Sequence, residues 1–563
     1  MRLTLALIAV LATGARAADA PPQIPVQTLK DVTQTLSSDA FEGRAPTSAA
    51  EPKVIAYMTQ RFKAAGLQPG NHGKWTQDVP MVRVTADPAM VAHFSGGNAP
   101  VDLAYKTDIA LFSYREVPQT TIANSDVVFV GYGIVAPEKG WNDYAGIDVR
   151  GKTVVILVND PDWKTPTVGA CGVEPAPQVQ ASSGGRCDPT RFNGRAMTYY
   201  GRWTYKYEEA ARQGAAAAII VHDTEPAAYG WGVVVSSYTG SQIHLAAANK
   251  SMRETQANGW MTQDAAKRLF AASGKDLSAL ALAAEKPGFK AVPLGLKMNL
   301  NFANKLEYSM SHNIVGILPG TTKPGEYVLY SAHWDHLGRC TPVKGDDICN
   351  GALDNASGSA GLVALAEVAA KAPRTPRSQV FLSVTAEESG LLGSRFYAEH
   401  PIYPLGKTVG GVNMDGLNVM GLTKDVSVVG PGKSDLDDYV ARYAALQGRR
   451  ITPESNPERG GYYRSDHFSF AKLGVPMLDA GAGEDLVDGG TAKGHALNED
   501  YNVNRYHKPQ DEYDPNWNWD GAVQDLQFYY GIGHELATTD AWPNWKAGDE
   551  FRAIRDKSRA DAK

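Results

Sequence analysis

Hydrophobic positions in the second half of the chain follow two patterns that take turns. Short continuous apolar runs at 327–332, 379–385, 409–414 and 475–479 have the length of buried strands. Between them, apolar residues recur at helical spacing over 357–371 and over 519–536, and a helix capped by Ser434 ends at Gly448. This alternation predicts a mixed, mostly parallel sheet covered by helices on both faces, an α/β/α arrangement. The first half is less regular. Residues 27–66 read as helix with a break at 43–50, because Val54, Ile55, Met58, Phe62 and Leu67 return near helical spacing. Strand-like pieces follow to about 117. From about 125 the pattern changes again, with apolar strands at 126–134, 153–158 and 215–221 around a short amphipathic helix at 207–213. That stretch reads as a separate, smaller, β-rich unit.

The ends of the chain carry their own signals. Arg2 precedes an apolar run at 3–12, and Ala15-Arg16-Ala17 follows as a small-residue cleavage site, so 1–17 reads as a signal peptide and the mature chain as an exported one, periplasmic or extracellular. The run is too short to span a bilayer, and no later segment is long enough, which predicts no membrane insertion. The mixed-charge tail at 546–563 reads as a solvated or frayed end. At 563 residues the chain is expected to hold about two or three domains. Its net charge of −6 offers no electrostatic case for nucleic acid. Oligomeric state is not legible.

The four cysteines fit export. Cys171 and Cys187 bracket one polar loop and Cys340 and Cys349 another, so two local disulfides are the natural pairing, although the sequence alone allows other connectivities. The alternative, a cysteine zinc site, lacks any C-x-x-C spacing.

Chemistry gathers at the ends of the apolar runs. His333-Trp334-Asp335 ends the first, Glu387-Glu388 follows the second and Asp415 follows the third, while Asp354 lies in a small-residue loop that opens the helix at 357–371. Each alone has a plain structural reading: a surface His–Asp pair, a cap or turn aspartate, a solvated acidic turn. Together with the distant His507 they form a zinc-type set of imidazoles and carboxylates at strand ends, where ligands collect in open α/β sheets. Adjacent buried carboxylates need a cation or a proton to offset their repulsion. Three look-alike motifs fail. His534-Glu535 lacks the second His of H-E-x-x-H, the 430–434 stretch lacks the leading Gly of a phosphate loop, and Ser357 stands where a nucleophile elbow needs Gly.

These clusters resemble those of the M28 metallopeptidases, over about 305–545, with the family's N-terminal helix at 27–66. Residues 122–293 resemble a protease-associated (PA) domain through Val130-Gly131-Tyr132-Gly133-Ile134, Asn142-Asp143-Tyr144, Asp148-Val149-Arg150-Gly151-Lys152 and Gly214-Ala215-Ala216-Ala217. The resemblance implies a phosphorylase/hydrolase-like peptidase domain split as 18–121 and 294–545 around the PA domain. It implies two Zn2+ ions, one held by His333 and Asp415, the other by Glu388 and His507, with Asp354 bridging and the Asp354–Asn355 peptide often cis. Asp335 would orient His333. Glu387 would be the general base that draws a proton from a metal-activated water. Asp466 and His467 would support the site from outside the metal shell. Tyr462 or Tyr463 would either donate to the developing oxyanion or simply pack, and 481–494 would be a Gly-rich loop at the substrate rim. Peptides are the implied substrates and an aminopeptidase the leading activity. The alternatives are a carboxypeptidase, for which Arg464 is the nearby cation, a glutaminyl cyclase, and a non-catalytic receptor-like relative.

Overall fold

The computed structural model describes residues 22–164, 192–454 and 456–562. The expected signal peptide at 1–17 and the expected Cys171–Cys187 pairing lie outside these residues. Cys340 and Cys349 are joined as a disulfide. No helix among the described residues is long and apolar enough to cross a membrane.

The larger sheet runs, in spatial order, Met477–Leu478, Thr408–Asn413, Lys323–His333, Arg377–Val384 and the end of Val292–Leu318. Its first three junctions are parallel and the last antiparallel. All of Arg377–Val384 is buried. A strand covered on both faces has no solvent side, so its apolar residues Val380, Phe381, Leu382 and Val384 do not alternate with exposed ones. Phe381 faces the helices Val26–Leu36, Gly358–Lys371 and Asp520–Thr538, whereas Val380, Leu382 and Val384 face Leu392–Glu399 and His467–Lys472. Each such side chain taken out of water contributes roughly 1.5–3 kcal/mol, which is what holds helices against both faces.

Val292–Leu318 belongs to two sheets. Its first part pairs antiparallel with Gln119–Phe129, its middle with Thr76–Ala86 and its end with Arg377–Val384. The sequence carries the change. Leu294, Leu296, Met298, Leu300 and Phe302 are buried in alternation, as on a sheet with one covered face, while 314–318 is buried throughout. The second sheet continues through Thr153–Leu157, Ala217–His222, Ala257–Thr262 and Ile109–Phe112, and is parallel from Gln119–Phe129 to Ala257–Thr262. It also takes in Val91–Ser95 and Val101–Ala104. Strands on both sides of 122–293 therefore share it, and the change of sheet falls inside strands rather than in a linker. In return, Ser241–Leu245 pairs with Thr76–Ala86.

Two segments depart from the sequence reading. The tail is not frayed: Arg552–Asp561 is a helix, Phe551 and Arg555 are buried, and Arg555 donates to the carbonyls of Thr408 and Val409 at 2.9 Å. Its many charges hid the two residues, four apart, that turn inward. The Gly-rich stretch at 481–494 ends in a helix, Gly490–Asn504. Only Gly494 of that helix is buried, so no apolar stripe marks it. A Cβ on Gly494 would lie 2.0 Å from the carbonyl of Glu484.

Glu51, at the start of Glu51–Ala64, anchors that helix to the long strand by accepting from Ser311 Oγ at 3.0 Å and pairing with His312 Nδ1 at 2.9 Å. The hydrogen bond that His312 donates to Glu51 holds it above the ordinary imidazole range, against partial burial that lowers it. A raised folded value stabilises fully below the unfolded value of about 6.5 and is lost as pH rises through the folded one. His312→Gln should therefore cost more at pH 5.5 than at pH 9. The difference should be under ~1 kcal/mol for so partly exposed a pair, read as the gap in denaturant midpoint between mutant and wild type at the two pH values. An equal gap at both would remove the ion pair as a source of stability.

Candidate metal centre

Three neighbouring parallel strands end level with one another and deliver imidazole and carboxylate groups to one edge. In the parallel register His333 lies opposite Val384, so the turn after Arg377–Val384 carries Glu387 and Glu388 past His333. On the other side Ser331 lies opposite Asn413, which brings Asp415 alongside. His333 Nε2 is 3.1 Å from Asp415 Oδ1 and 3.4 Å from Asp354 Oδ1.

Asp354 reaches the site from the turn that opens Gly358–Lys371. Gly351 in that turn has a φ of 55°, and a Cβ there would fall 2.5 Å from His336 Cγ, so a glycine is needed for so close an approach. The Asp354–Asn355 peptide is cis. Asp511 accepts from the amides of Leu353 and Asp354, each at 3.0 Å. Asn355 donates to Met414 O at 2.9 Å and accepts from the Gly416 amide at 3.0 Å, tying this turn to the one that carries Asp415. Asp354 thus offers one oxygen to each side. Its Oδ1 faces His333, and its Oδ2 is 3.3 Å from His507 Nε2, which in turn is 3.0 Å from Glu388 Oε2. All five expected ligands, from five separate segments of chain, meet here.

One supporting contact differs from the one expected. Asp335 was expected to hold His333 by its carboxylate. That carboxylate is 3.8 Å from His333 Nδ1 and instead accepts from the amides of Glu387 at 3.1 Å and Glu388 at 3.4 Å. The imidazole meets the main-chain carbonyl of Asp335 at 3.1 Å. The parallel register explains this, since Trp334 N donates to Val384 O and sets Asp335 beneath the Glu387–Glu388 turn. Tyr462 and Tyr463 are buried and turn toward Lys433, whose ammonium lies 5.1 and 5.6 Å from their ring centres, and the Tyr463 hydroxyl is 3.3 Å from Glu550. Both rings pack, that of Tyr462 edge-on to His467 with ring centres 4.6 Å apart. Asp466 and His467 are fully buried beside the site, His467 Nδ1 standing 3.0 Å from Asp479. Ser465 does reach the ligands: it donates to Asp415 Oδ2 at 2.6 Å and accepts from Asn413, which itself accepts from Ser331.

Three residues here carried no role in the sequence reading. His336 is buried with Nδ1 2.6 Å from Glu388 Oε1, its ring 5.7 Å from that of His507. Its one signal is a second His three residues after His333. Asp511, four residues past His507, is the second. Arg44 is the third: fully buried, it donates to the carbonyls of Trp334 (2.9 Å), Leu36 (2.7 Å), Asn350 (2.6 Å) and Gly351 (2.8 Å). It thereby joins the N-terminal segment to both loops that bear ligands. Burial pulls its guanidinium down to about 10, against the pull of Asp511, Asp335, Asp354 and Glu388.

The charge in the site is unbalanced by protein groups alone. Burial pushes Glu387 well above the usual carboxylate range, His333 opposing and Asp415, Glu388 and Asp466 adding to it. Burial would lower His507, yet the neighbouring carboxylates of Asp354 and Glu388 push it up to about 10. Both ring nitrogens of His336, His507 Nε2 and Glu388 Oε1 are buried without hydrogen-bond geometry among the described residues, although they stand close together. Buried polar atoms are rarely left so. Ligand atoms of His333, Asp354 and Asp415, and likewise of His336, Asp354 and Glu388, lie within 4.8 Å of one another. Imidazole nitrogen with carboxylate oxygen is a zinc-type donor set, and these residues fit such an ion.

Comparison with known proteins gives a family match over the region of the site. Residues 313–531 match the model of Peptidase family M28. Aminopeptidase NAALADL1 of Mus musculus is 33% identical over 138 residues, 23% of this chain and 17% of that protein. The chain thus matches under a fifth of that relative's length. Among solved structures, an aminopeptidase from Aneurinibacillus sp. strain AM-1 is 18% identical, covering 92% of this chain and 95% of its own, with a TM-score of 0.45. A zinc aminopeptidase from Bacillus subtilis is 16% identical, with coverages of 94% and 98% and a TM-score of 0.37.

Proposed function

Because residues 313–531 carry the peptidase family M28 domain, we propose that this chain is a metal-dependent peptidase and, more narrowly, an exported dizinc aminopeptidase. The observation that carries the reading is Asp354, placed with one oxygen toward His333 and the other toward His507. His333 and Asp415 would hold one ion, Glu388 and His507 the other, and Asp354 both. Zinc, when bound, supplies Lewis acidity to a water and to the scissile carbonyl.

The chain's own groups account for the proton movements. Glu387 Oε2 lies 4.0 Å from His333 Nε2, on the side of the site shared with Asp415. Its backbone amide is tied to Asp335, which fixes the turn that carries the residue. Glu387 takes a proton from the attacking water and returns it to the departing amine. Buried Asp335 and Asp466 add negative charge behind the ligands and keep water out. Residues 122–293 act as a PA domain that walls the approach. The choice of an aminopeptidase draws support from the relatives' names, and export draws support from the Cys340–Cys349 disulfide.

Purified protein should release N-terminal residues from aminoacyl reporter peptides. Exhaustive treatment with 1,10-phenanthroline should lower that rate at least ~100-fold, with recovery on added zinc, since a site stripped of its Lewis acid loses several kcal/mol of transition-state stabilisation. Metal analysis should find two ions per chain. Activity that survives complete chelation would sink the metal mechanism, and release of C-terminal residues instead would favour the carboxypeptidase.

A further inference from the structure

A second imidazole follows His333 three residues later, and no hydrogen bond accounts for it. His336 is fully buried, and neither ring nitrogen has a hydrogen bond among the described residues. Its Nδ1 stands 2.6 Å from Glu388 Oε1, yet the pair misses the direction of a hydrogen bond and leaves both atoms unpartnered. His507 Nε2 repeats this, 3.0 Å from Glu388 Oε2 and 3.3 Å from Asp354 Oδ2 and likewise unpartnered. Close approach without a mutual bond is what ligands of one ion show, because each aims its lone pair at the ion and not at its neighbour. Buried imidazoles held only by packing almost always bond through at least one nitrogen.

The fold makes room for this ring at the ligand edge. The His336 amide donates to Arg44 O at 3.3 Å, and the ring lies over Gly351, where a Cβ would come within 2.5 Å of Cγ and 2.6 Å of Cδ2. Gly351 opens the turn that carries Asp354, so the ring and that ligand are fitted to each other. The two imidazoles of one strand end serve different sides. His333 Nε2 faces Asp415 Oδ1 at 3.1 Å, whereas His336 faces Glu388, its ring 5.7 Å from that of His507 and inclined to it by 70°. Ligand atoms of His336, Asp354 and Glu388 lie within 4.8 Å of one another, and His507 Nε2 is within 3.3 Å of the latter two. Four protein ligands make the closed set of a structural zinc, and three with an open position make a catalytic one. The open set is then His333, Asp354 and Asp415, on the side where Glu387 Oε2 lies 4.0 Å from His333 Nε2.

We propose that His336 is a sixth metal ligand, beyond the five that the family resemblance implies, so that His336, Asp354, Glu388 and His507 close around one ion while the other keeps an open position beside Glu387. This rests on the two-ion part of the reading above and not on peptide hydrolysis. The rival role for His336 is a hydrogen-bond partner that only orients Glu388.

Zinc binding to the full chain distinguishes the two roles. Competition against a chromogenic chelator should give wild-type protein two ions per chain, one held more tightly than the other. In His336→Ala the tighter affinity should fall by more than ~100-fold, beyond the 10–100-fold that loss of a supporting partner costs. His336→Asn keeps an N–H near the place of Nδ1 and would rescue an orienting role, so under the ligand role it should fall equally far. Melting temperatures are read with and without zinc, because an ion that binds only the folded chain raises them. Loss of a ligand shrinks the zinc-induced rise, whereas a packing defect lowers the metal-free and zinc-loaded values together. With cobalt as the probe, the closed set should give the intense visible absorption of a four-coordinate ion, and His336→Asn should weaken it. A fall of 100-fold or less in His336→Ala, wild-type affinity in His336→Asn, or a zinc-induced rise equal to that of wild type would overturn the assignment. Peptide release is scored separately. Two ions held through His336 by a protein that releases no residues keeps the ligand and rejects the peptidase, metal-dependent release with unchanged zinc binding in both variants does the reverse, and a chain that binds no zinc rejects both.

Discussion

Glu387→Gln should lower kcat by about 10³-fold, near the middle of the range for removing a positioned general base, while leaving metal content at the wild-type level. The two effects separate because of where Glu387 sits. Its carboxylate stands outside the two groups of converging ligand atoms, so a glutamine of the same shape leaves those groups intact. Its amide keeps its hydrogen bond to Asp335. What the amide side chain lacks is the ability to accept a proton. Turnover of aminoacyl peptides, measured together with metal stoichiometry, reads both at once. A rate within tenfold of wild type would remove Glu387 as the base, and a fall in metal content would make it a ligand instead.

Arg44→Met should destabilise the fold by at least ~4 kcal/mol, because it strands four buried carbonyls that one guanidinium now satisfies. The expected reading is a lower denaturant midpoint with the slope unchanged. Metal affinity should fall as well, since Trp334 lies between His333 and Asp335 and Asn350–Gly351 leads into Asp354. Arg44→Lys should recover only part of either, because an ammonium has three donors on one nitrogen and cannot fork across four acceptors. A methionine variant as stable as wild type would show that the carbonyls find other partners.

The sequence marked His333, Asp354, Glu388 and Asp415 for a physical reason. His333, Glu388 and Asp415 sit where a buried apolar run stops, and a strand end in a parallel sheet is where polar chemistry begins, while Asp354 lies in the small-residue loop that opens a helix. His507 had no such flag and joined the set only as a distant imidazole, its place among the ligands being what the family resemblance implied. Arg44 was invisible because its partners are backbone carbonyls, which leave no pattern in side-chain identity. His336 was in plain view, but a lone histidine in a loop does not announce which neighbour it meets. The core strands and helices of the larger sheet were legible from periodicity alone. The strand Val292–Leu318 was not, because 304–313 is mostly polar and lies on an edge where Thr76–Ala86 covers it only by main-chain pairing. The buried tail failed for a related reason, since Phe551 and Arg555 insert into a surface already built by distant residues.

That shared strand has a mechanical consequence. Two bodies joined by a flexible tether can swing apart, and a protease can cut them free. Here the join is a continuous hydrogen-bonded beam crossed by a second exchange at Ser241–Leu245. Excising 122–293 would leave Val292–Leu318 without its Gln119–Phe129 neighbour and open an edge of the remaining sheet, so the smaller unit is not a detachable cap.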